Sequence, residues 1–223
     1  MYLLLGMSVF TVTIVVYKLV QFVRMGIRRK DFVDSAMESV RCERPEEALE
    51  FLAKQPNPVA RVMETSIRVG MDRDMLPADS EAEISRVGSE QIRDMESWLR
   101  ALSAIAHLAP FCGLLGTVLG MIEAFMSMQT VGSRVDPSVL SGGIWEALLT
   151  TAFGLAIAIP AMATYFYFEG EVDRTRAVMK DAGVRVLVCF RKARLARALD
   201  AKTLEDPERH VDGGMKGGEG YGV

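Results

Sequence analysis

The chain has 223 residues, of which 50% are hydrophobic, and a formal net charge of −3 at pH 7. This nearly balanced charge argues against the basic surface that is typical of nucleic-acid-binding proteins. The 3 cysteines are scattered, so the sequence predicts neither a disulfide framework nor a metal site. Apolar residues concentrate in 1–23, 104–128 and 142–168, and each stretch can cross about 30 Å of hydrocarbon as a helix.

Residues 1–23 predict a first membrane helix that is retained rather than cleaved. A signal peptide carries basic residues before its apolar core, whereas here a basic cluster within residues 24–30 follows the core. Because basic segments stay in the cytoplasm, the N-terminus is expected on the outer side. Lys18, about two turns before the cluster, is expected to extend its amine to the inner interface of the membrane.

Residues 24–103 predict a cytoplasmic insert of charged helices. Asn57 is placed to cap a helix that has Pro58 at its first position. Gly70 is expected to end that helix in a left-handed conformation.

A third helix of the insert is expected to begin at Asp79 or Ser80, with its apolar residues recurring on one face. We find no break between this start and Pro110. The pattern therefore predicts one helix that runs from the cytoplasm into the membrane, with a kink at or before Pro110.

Residues 104–128 predict the second span, whose small residues form one stripe. At helical spacing the stripe contains Ala109, Gly113, Gly116, Gly120, Ala124 and Ser127. Such a face lets another helix backbone come close. The span also carries Thr117 and Glu123, and we interpret Glu123 as an interfacial carboxylate in contact with water. His107, near the cytoplasmic interface, is interpreted as a histidine with a local hydrogen-bond partner rather than a proton relay.

Residues 142–168 predict the third span, after a short external loop over 129–141. Its small stripe contains Ala147, Thr151, Gly154, Ala158 and Ala161, and Pro160 is a second expected kink. Glu146 and Thr150 lie one turn apart on one side of this helix. Glu146 is either an interfacial carboxylate, a polar entrance for protons, or a partner of Arg134.

A charged amphipathic helix is expected over 169–200, followed by a disordered glycine-rich tail over 201–223. The helix should pack against the cytoplasmic insert, with its basic end near anionic lipid headgroups. Together the segments predict an all-α fold with three membrane spans, whose long helices extend into a cytoplasmic helical domain.

Two motifs in the spans resemble the MotA/TolQ/ExbB proton-channel family. The first is Gly116-Thr117-Val118-Leu119-Gly120-Met121-Ile122-Glu123-Ala124-Phe125, preceded by Ala109-Pro110. The second is Glu146-Ala147-Leu148-Leu149-Thr150-Thr151-Ala152-Phe153-Gly154-Leu155, followed by Ala158-Ile159-Pro160-Ala161. Three spans with an outward N-terminus resemble the ExbB/TolQ branch of that family.

The resemblance implies a homopentamer in a bacterial inner membrane, arranged around two single-span helices of an ExbD/TolR-like partner. It implies a periplasmic N-terminus, a cytoplasmic C-terminus and a pore lined by Thr117 and Thr151. Glu146 is expected near the outer end of this pore, and the role of Thr150 is open. The complex would use the proton motive force to energise an outer-membrane process, with a TonB-like protein for import or a TolA-like protein for envelope maintenance. A gliding motor is a further alternative.

Other functions remain open at this stage. Threonine in a membrane helix is usually structural, and the small residues, Gly113, Gly116, Gly120, Gly154 and Ala158, indicate helix packing. A non-conducting membrane scaffold is therefore the alternative of another class. A solute transporter is disfavoured because the internal repeat of many such folds is missing. The sequence contains neither a nucleophile–base pair nor a phosphate loop, so it predicts no enzyme and no cofactor.

Overall fold

The computed structural model describes residues 2–27, 31–131 and 137–205, and these ranges are folded into seven helices. The helices are α1 (Tyr2–Arg24), α2 (Asp31–Arg41), α3 (Pro45–Ala53), α4 (Pro58–Met71), α5 (Pro77–Glu96), α6 (Leu99–Val131) and α7 (Pro137–Glu205). Three helices of the described part, in the regions of α1, α6 and α7, are long and apolar enough to cross a membrane. The predicted all-α, three-span fold is confirmed.

The third span and the charged segment after it form one helix, α7, of 69 residues. At about 1.5 Å per residue this helix is about 100 Å long, so it continues far beyond the membrane. It also includes 201–205, which the sequence assigned to a disordered tail; the rest of that tail lies outside the described residues. α6 ends at Val131 and α7 begins at Pro137, so both helices extend into the loop expected over 129–141. Residues 132–136, including Arg134, lie outside the described residues.

A helical core joins α2, α3, α4 and α5 to the second half of α7. Each helix contributes buried apolar residues to it, including Phe32, Ala36, Leu52, Met63, Ile67, Met95, Met179 and Val186. Asn57 caps α4 as predicted, since its Oδ1 accepts from the backbone N–H of Val59 at 2.9 Å. Its Nδ2 also donates to the Gly26 carbonyl at 3.0 Å, which ties the start of α4 to the end of α1.

The prediction that Gly70 ends α4 is wrong. The helix continues to Met71, and the residue after it, Asp72, is extended with a φ of −71°. Gly70 instead faces α7, and a Cβ at this position would overlap the ring of Phe190. The glycine is therefore required for close approach of two helices and not for a left-handed turn.

The prediction of an unbroken helix up to Pro110 is also wrong. α5 starts at Pro77, two residues before the first predicted start, and ends at Glu96; α6 starts at Leu99. Ser97 and Trp98 separate them, and Trp98 has a positive φ of 64°. α6 then continues through Pro110 and α7 through Pro160, so the two kinks stay predictions.

Lys18 has protein partners, and its expected reach to the membrane interface stays a prediction. Its side chain is fully buried, and its Nζ donates to the carbonyl oxygen of Met95 at 2.8 Å. The amine therefore lies at the end of α5, against the break that sequence reasoning missed.

Candidate functional site

The membrane parts of α6 and α7 run antiparallel, with their small residues facing each other. A Cβ placed on Gly154 would lie 2.7 Å from the carbonyl oxygen of Ala109, and one on Gly113 would lie 3.0 Å from the Cα of Thr151. Real Cβ atoms essentially never come closer than 3.0 Å to another heavy atom. Glycine is therefore the residue that allows the two backbones to meet at this depth.

The same contact continues towards the C-terminal end of α6 and the N-terminal end of α7. A Cβ on Gly120 would lie 3.1 Å from the Cβ of Ala147, and one on Gly143 would lie 2.6 Å from the Cβ of Ala124. Gly143 was not among the predicted packing residues, although its position four residues before Ala147 is a signal that could have identified it. We call this contact, from Ala109 to Ala124 on α6 and from Gly143 to Gly154 on α7, the small-residue seam.

The end of the seam near Ala109 and Gly154 meets α1. Ala158 and Ala161 continue the stripe of α7, and both are buried. Ala161 belongs to a cluster with Ile14 of α1 and Leu102 and Ala106 of α6. Both predicted stripes are thus used inside one chain, and the seam has no room for a row of water molecules between α6 and α7. A polar path has to run along a flank of this helix pair.

Thr117 and Thr151 lie on one flank of the seam. The Thr151 hydroxyl crosses the seam and donates to the carbonyl oxygen of Gly113 at 3.0 Å. Thr117 follows Gly113 by four residues, which places it one turn further and about 40° further round α6. Its hydroxyl donates to the carbonyl oxygen of Leu114 at 2.7 Å, in its own helix. Both threonines are partly exposed, so their oxygen atoms are accessible from this flank.

Thr150 lies on the opposite flank, because consecutive helical residues are about 100° apart. Its hydroxyl donates to the carbonyl oxygen of Ala147 at 2.6 Å, in its own helix. The same oxygen fills the space above Gly116, where a Cβ would lie 2.7 Å from it. The structure therefore gives Thr150 a packing position against α6.

The two membrane glutamates also lie on the flank of Thr150. Glu146 precedes Thr150 by one turn and is near the N-terminal end of α7. Glu123 follows Gly116 by two turns and is near the C-terminal end of α6. Both side chains are exposed in the single chain. The four residues predicted for the proton pathway therefore do not lie together. Thr117 and Thr151 are on one flank, and Glu146 and Thr150 are on the other.

His107 lies about two turns after the start of α6, and its ring has a local partner. Its Nδ1 is 2.7 Å from the carbonyl oxygen of Ser103, one turn earlier, and donates to it. This bond agrees with the interpretation of a satisfied interfacial histidine. Within the described ranges, no group of three or more histidine, cysteine or acidic side chains could hold a metal ion.

Comparison with known proteins finds a family model and several relatives that match the chain. Residues 54–181 match the model of the MotA/TolQ/ExbB proton channel family. The chain is 33% identical over 127 residues to a biopolymer transport protein ExbB homolog of Methanothermobacter thermautotrophicus. This alignment covers 57% of this chain and 43% of that protein. It is 42% identical over 91 residues to the biopolymer transport protein exbB1 of Vibrio cholerae, covering 41% of this chain and 40% of that protein. It is 36% identical over 77 residues to the Tol-Pal system protein TolQ of Haemophilus influenzae, covering 34% of this chain and 33% of that protein. The chain thus aligns with less than half the length of each of these relatives.

Proposed function

The chain belongs to the MotA/TolQ/ExbB proton channel family, and from this premise we propose that it is the proton-channel subunit of a motor complex in a bacterial inner membrane. The observation that carries the proposal is the position of Thr117 and Thr151. Both lie in the matched segment, 54–181, and on the same flank of the closed seam. Five copies would surround two single-span helices of an ExbD/TolR-like partner, with this flank towards the central cavity.

The hydroxyl chemistry suits a partner whose carboxyl group takes and releases a proton. Thr117 and Thr151 each commit their own hydrogen to a backbone carbonyl, so each oxygen keeps lone pairs that can accept. Such an oxygen favours the protonated carboxyl, which donates. A rotated hydroxyl can instead donate to the carboxylate, so the same residue serves both states without being titrated.

The surrounding wall is apolar, which limits proton leakage without coupling. Large apolar side chains next to Thr117, including Leu114 and Val118, are exposed in the single chain. One charge that moves through 100 mV releases about 2.3 kcal/mol, enough to shift a two-state assembly by more than tenfold.

We place the output of the motor at the outer membrane, and first in TonB-dependent import, because the relatives from Methanothermobacter and Vibrio carry the ExbB name. The TolQ relative supports the alternative of envelope maintenance with a TolA-like protein, and a gliding motor is a further variant. A non-conducting scaffold is supported by a different observation, namely that both hydroxyls are already bound to backbone carbonyls.

Proton flux into vesicles that contain the purified complex with its single-span partner tests this function. We expect flux from the wild type, normal assembly but little flux from Thr117→Val and Thr151→Val, and partial flux from the two serine variants. Thr150→Val is the matched control, since it removes the neighbouring hydroxyl from the opposite flank. The absence of flux from the assembled wild-type complex would favour the scaffold. Full flux from both Thr117→Val and Thr151→Val would contradict the hydroxyl-lined pathway.

A further inference from the structure

The joint between α5 and α6 is not encoded by a local helix breaker. Neither glycine nor proline occurs between residues 89 and 109, and most residues in this range are good helix formers. Nevertheless Ser97 has an extended ψ of 137°, and Trp98 has a φ of 64°, which is rare for a bulky side chain. Something outside this segment therefore holds the joint open.

The missing helical bonds identify what holds it. In a continuous helix, the N–H of Trp98 would donate to the carbonyl of Asp94, and the N–H of Leu99 to that of Met95. Two side chains of α1 occupy these carbonyls instead. Lys18 Nζ lies 2.8 Å from the Met95 oxygen, and Gln21 Nε2 lies 3.2 Å from the Asp94 oxygen.

The two α1 side chains and the joint form one hydrogen-bonded group. Lys18 Nζ also donates to Gln21 Oε1 at 2.8 Å and, at 3.4 Å, to the hydroxyl of Ser97. That hydroxyl itself donates to the Asp94 carbonyl at 2.7 Å. Across the described residues no carboxylate forms an ion pair with Lys18. Its partners are neutral oxygen atoms, one on Gln21 of α1 and two at the C-terminal end of α5. The negative end of the helix dipole favours a cation at this place.

Trp98 is also in contact with α1. Its ring makes an edge-to-face contact with Phe10 of α1, with the ring centroids 6.3 Å apart. α1 therefore contacts both the freed carbonyls and the residue with the unusual backbone conformation.

We propose that Lys18 and Gln21 are positioning residues that keep the α5–α6 joint open, and that α5 and α6 merge into one continuous helix when these two side chains release it. α6 carries Thr117 and one side of the small-residue seam. The first membrane helix would thus set the orientation of the pathway helix relative to the cytoplasmic domain. This inference concerns the chain's own conformation and does not depend on the proposed proton conduction.

Amide hydrogen exchange of the full chain in lipid nanodiscs tests the proposal. In the wild type, the amides of residues 98–101 are expected to exchange fast, because the joint removes their helical acceptors. In Lys18→Met the same amides should exchange about tenfold or more slowly, as bonds of the continuous helix form. Lys18→Arg should keep the fast exchange of the wild type, since a guanidinium also donates to carbonyl oxygens. Tyr17→Phe, an exposed neighbour in α1, is the control and should change nothing.

Gln21→Leu keeps the test decisive if Lys18→Met fails to fold. It removes the α1 donor to the Asp94 carbonyl and leaves the bond from Lys18 to the Met95 carbonyl in place, so it should slow the amide of Trp98 in particular. Unchanged or faster exchange of residues 98–101 in the folded variants would overturn the proposal. In that case Lys18 and Gln21 would only stabilise a joint that other contacts define. A measurement of proton flux on the same variants separates the outcomes, because loss of flux without slower exchange would not be caused by the merged helix.

Discussion

Substitution of Gly154 by alanine tests how closely α6 and α7 approach. The new Cβ would lie 2.7 Å from the Ala109 carbonyl oxygen and 3.0 Å from the Cα of Gly113, and neither atom belongs to a side chain that can rotate away. The helices would have to separate by about 0.5–1 Å to reach ordinary contact distances. That shift would also stretch the bond from Thr151 to the Gly113 carbonyl, now 3.0 Å, towards the limit of hydrogen bonding.

The expected change in the free energy of unfolding combines two destabilising effects and one stabilising effect. Overpacking of this kind costs about 1–3 kcal/mol, and the weakened hydrogen bond costs up to about 1 kcal/mol. Alanine in place of glycine within a helix stabilises the helix by about 0.5–1 kcal/mol. We therefore expect Gly154→Ala to lower the free energy of unfolding by about 2 kcal/mol.

Gly170→Ala is the matched control in the same helix. No atom lies within 4 Å of a Cβ at this position, so only the helical gain of about 0.5–1 kcal/mol should remain. The assay is denaturant-induced unfolding of each variant in mixed detergent micelles, followed by circular dichroism. If Gly154→Ala proves as stable as Gly170→Ala, the seam is looser than described and the reasoning about a closed helix pair fails.

Three further predictions concern the membrane topology and the helical domain that α2 to α5 form with α7. A cysteine at Gln129 should react with an impermeant maleimide added to intact spheroplasts, whereas one at Glu50 should react only after lysis; the reverse pattern would invert the membrane orientation. Asn57→Ala should lower the free energy of unfolding by about 1–2 kcal/mol in a thermal or denaturant titration, because it removes both the cap of α4 and the bond to the end of α1. Asn57→Asp should recover part of this loss through its remaining acceptor. Gly70→Ala should destabilise the chain through its overlap with the ring of Phe190, and the loss should vanish in a Phe190→Leu background, as measured by a double-mutant cycle; equal losses in both backgrounds would show that the ring is not the cause.

The membrane part of the fold could be predicted because its signals are local. Length and apolarity define the three spans, and the four-three spacing of small residues defines the stripes before any contact is known. Gly143 extends that pattern and was missed only because the stripe of α7 was started at Ala147. The capping of α4 by Asn57 is equally local, since cap and bonded N–H are two residues apart.

The features that were missed depend on residues far apart in the chain. The break at Trp98 is held by Lys18, which is separated from Met95 by 77 positions, so local propensity pointed to a continuous helix. The role of Gly70 was missed for the same reason, because the ring of Phe190 that it contacts belongs to another helix. The flank on which each threonine lies depends on the register between α6 and α7, and this register appears only when Gly113 and Thr151 are seen in contact.

The closed seam bears on whether newly synthesised, unassembled copies of this chain leak ions across the membrane. During synthesis, single copies enter the membrane one at a time, and each carries its hydroxyls into a fully energised bilayer. Since the interior between α6 and α7 is filled by small side chains, an unassembled copy offers ions no passage through that interior. On the proposed function, conductance arises only when several copies and their partner come together. Overproduction of this chain alone should then leave the membrane potential of the cell intact.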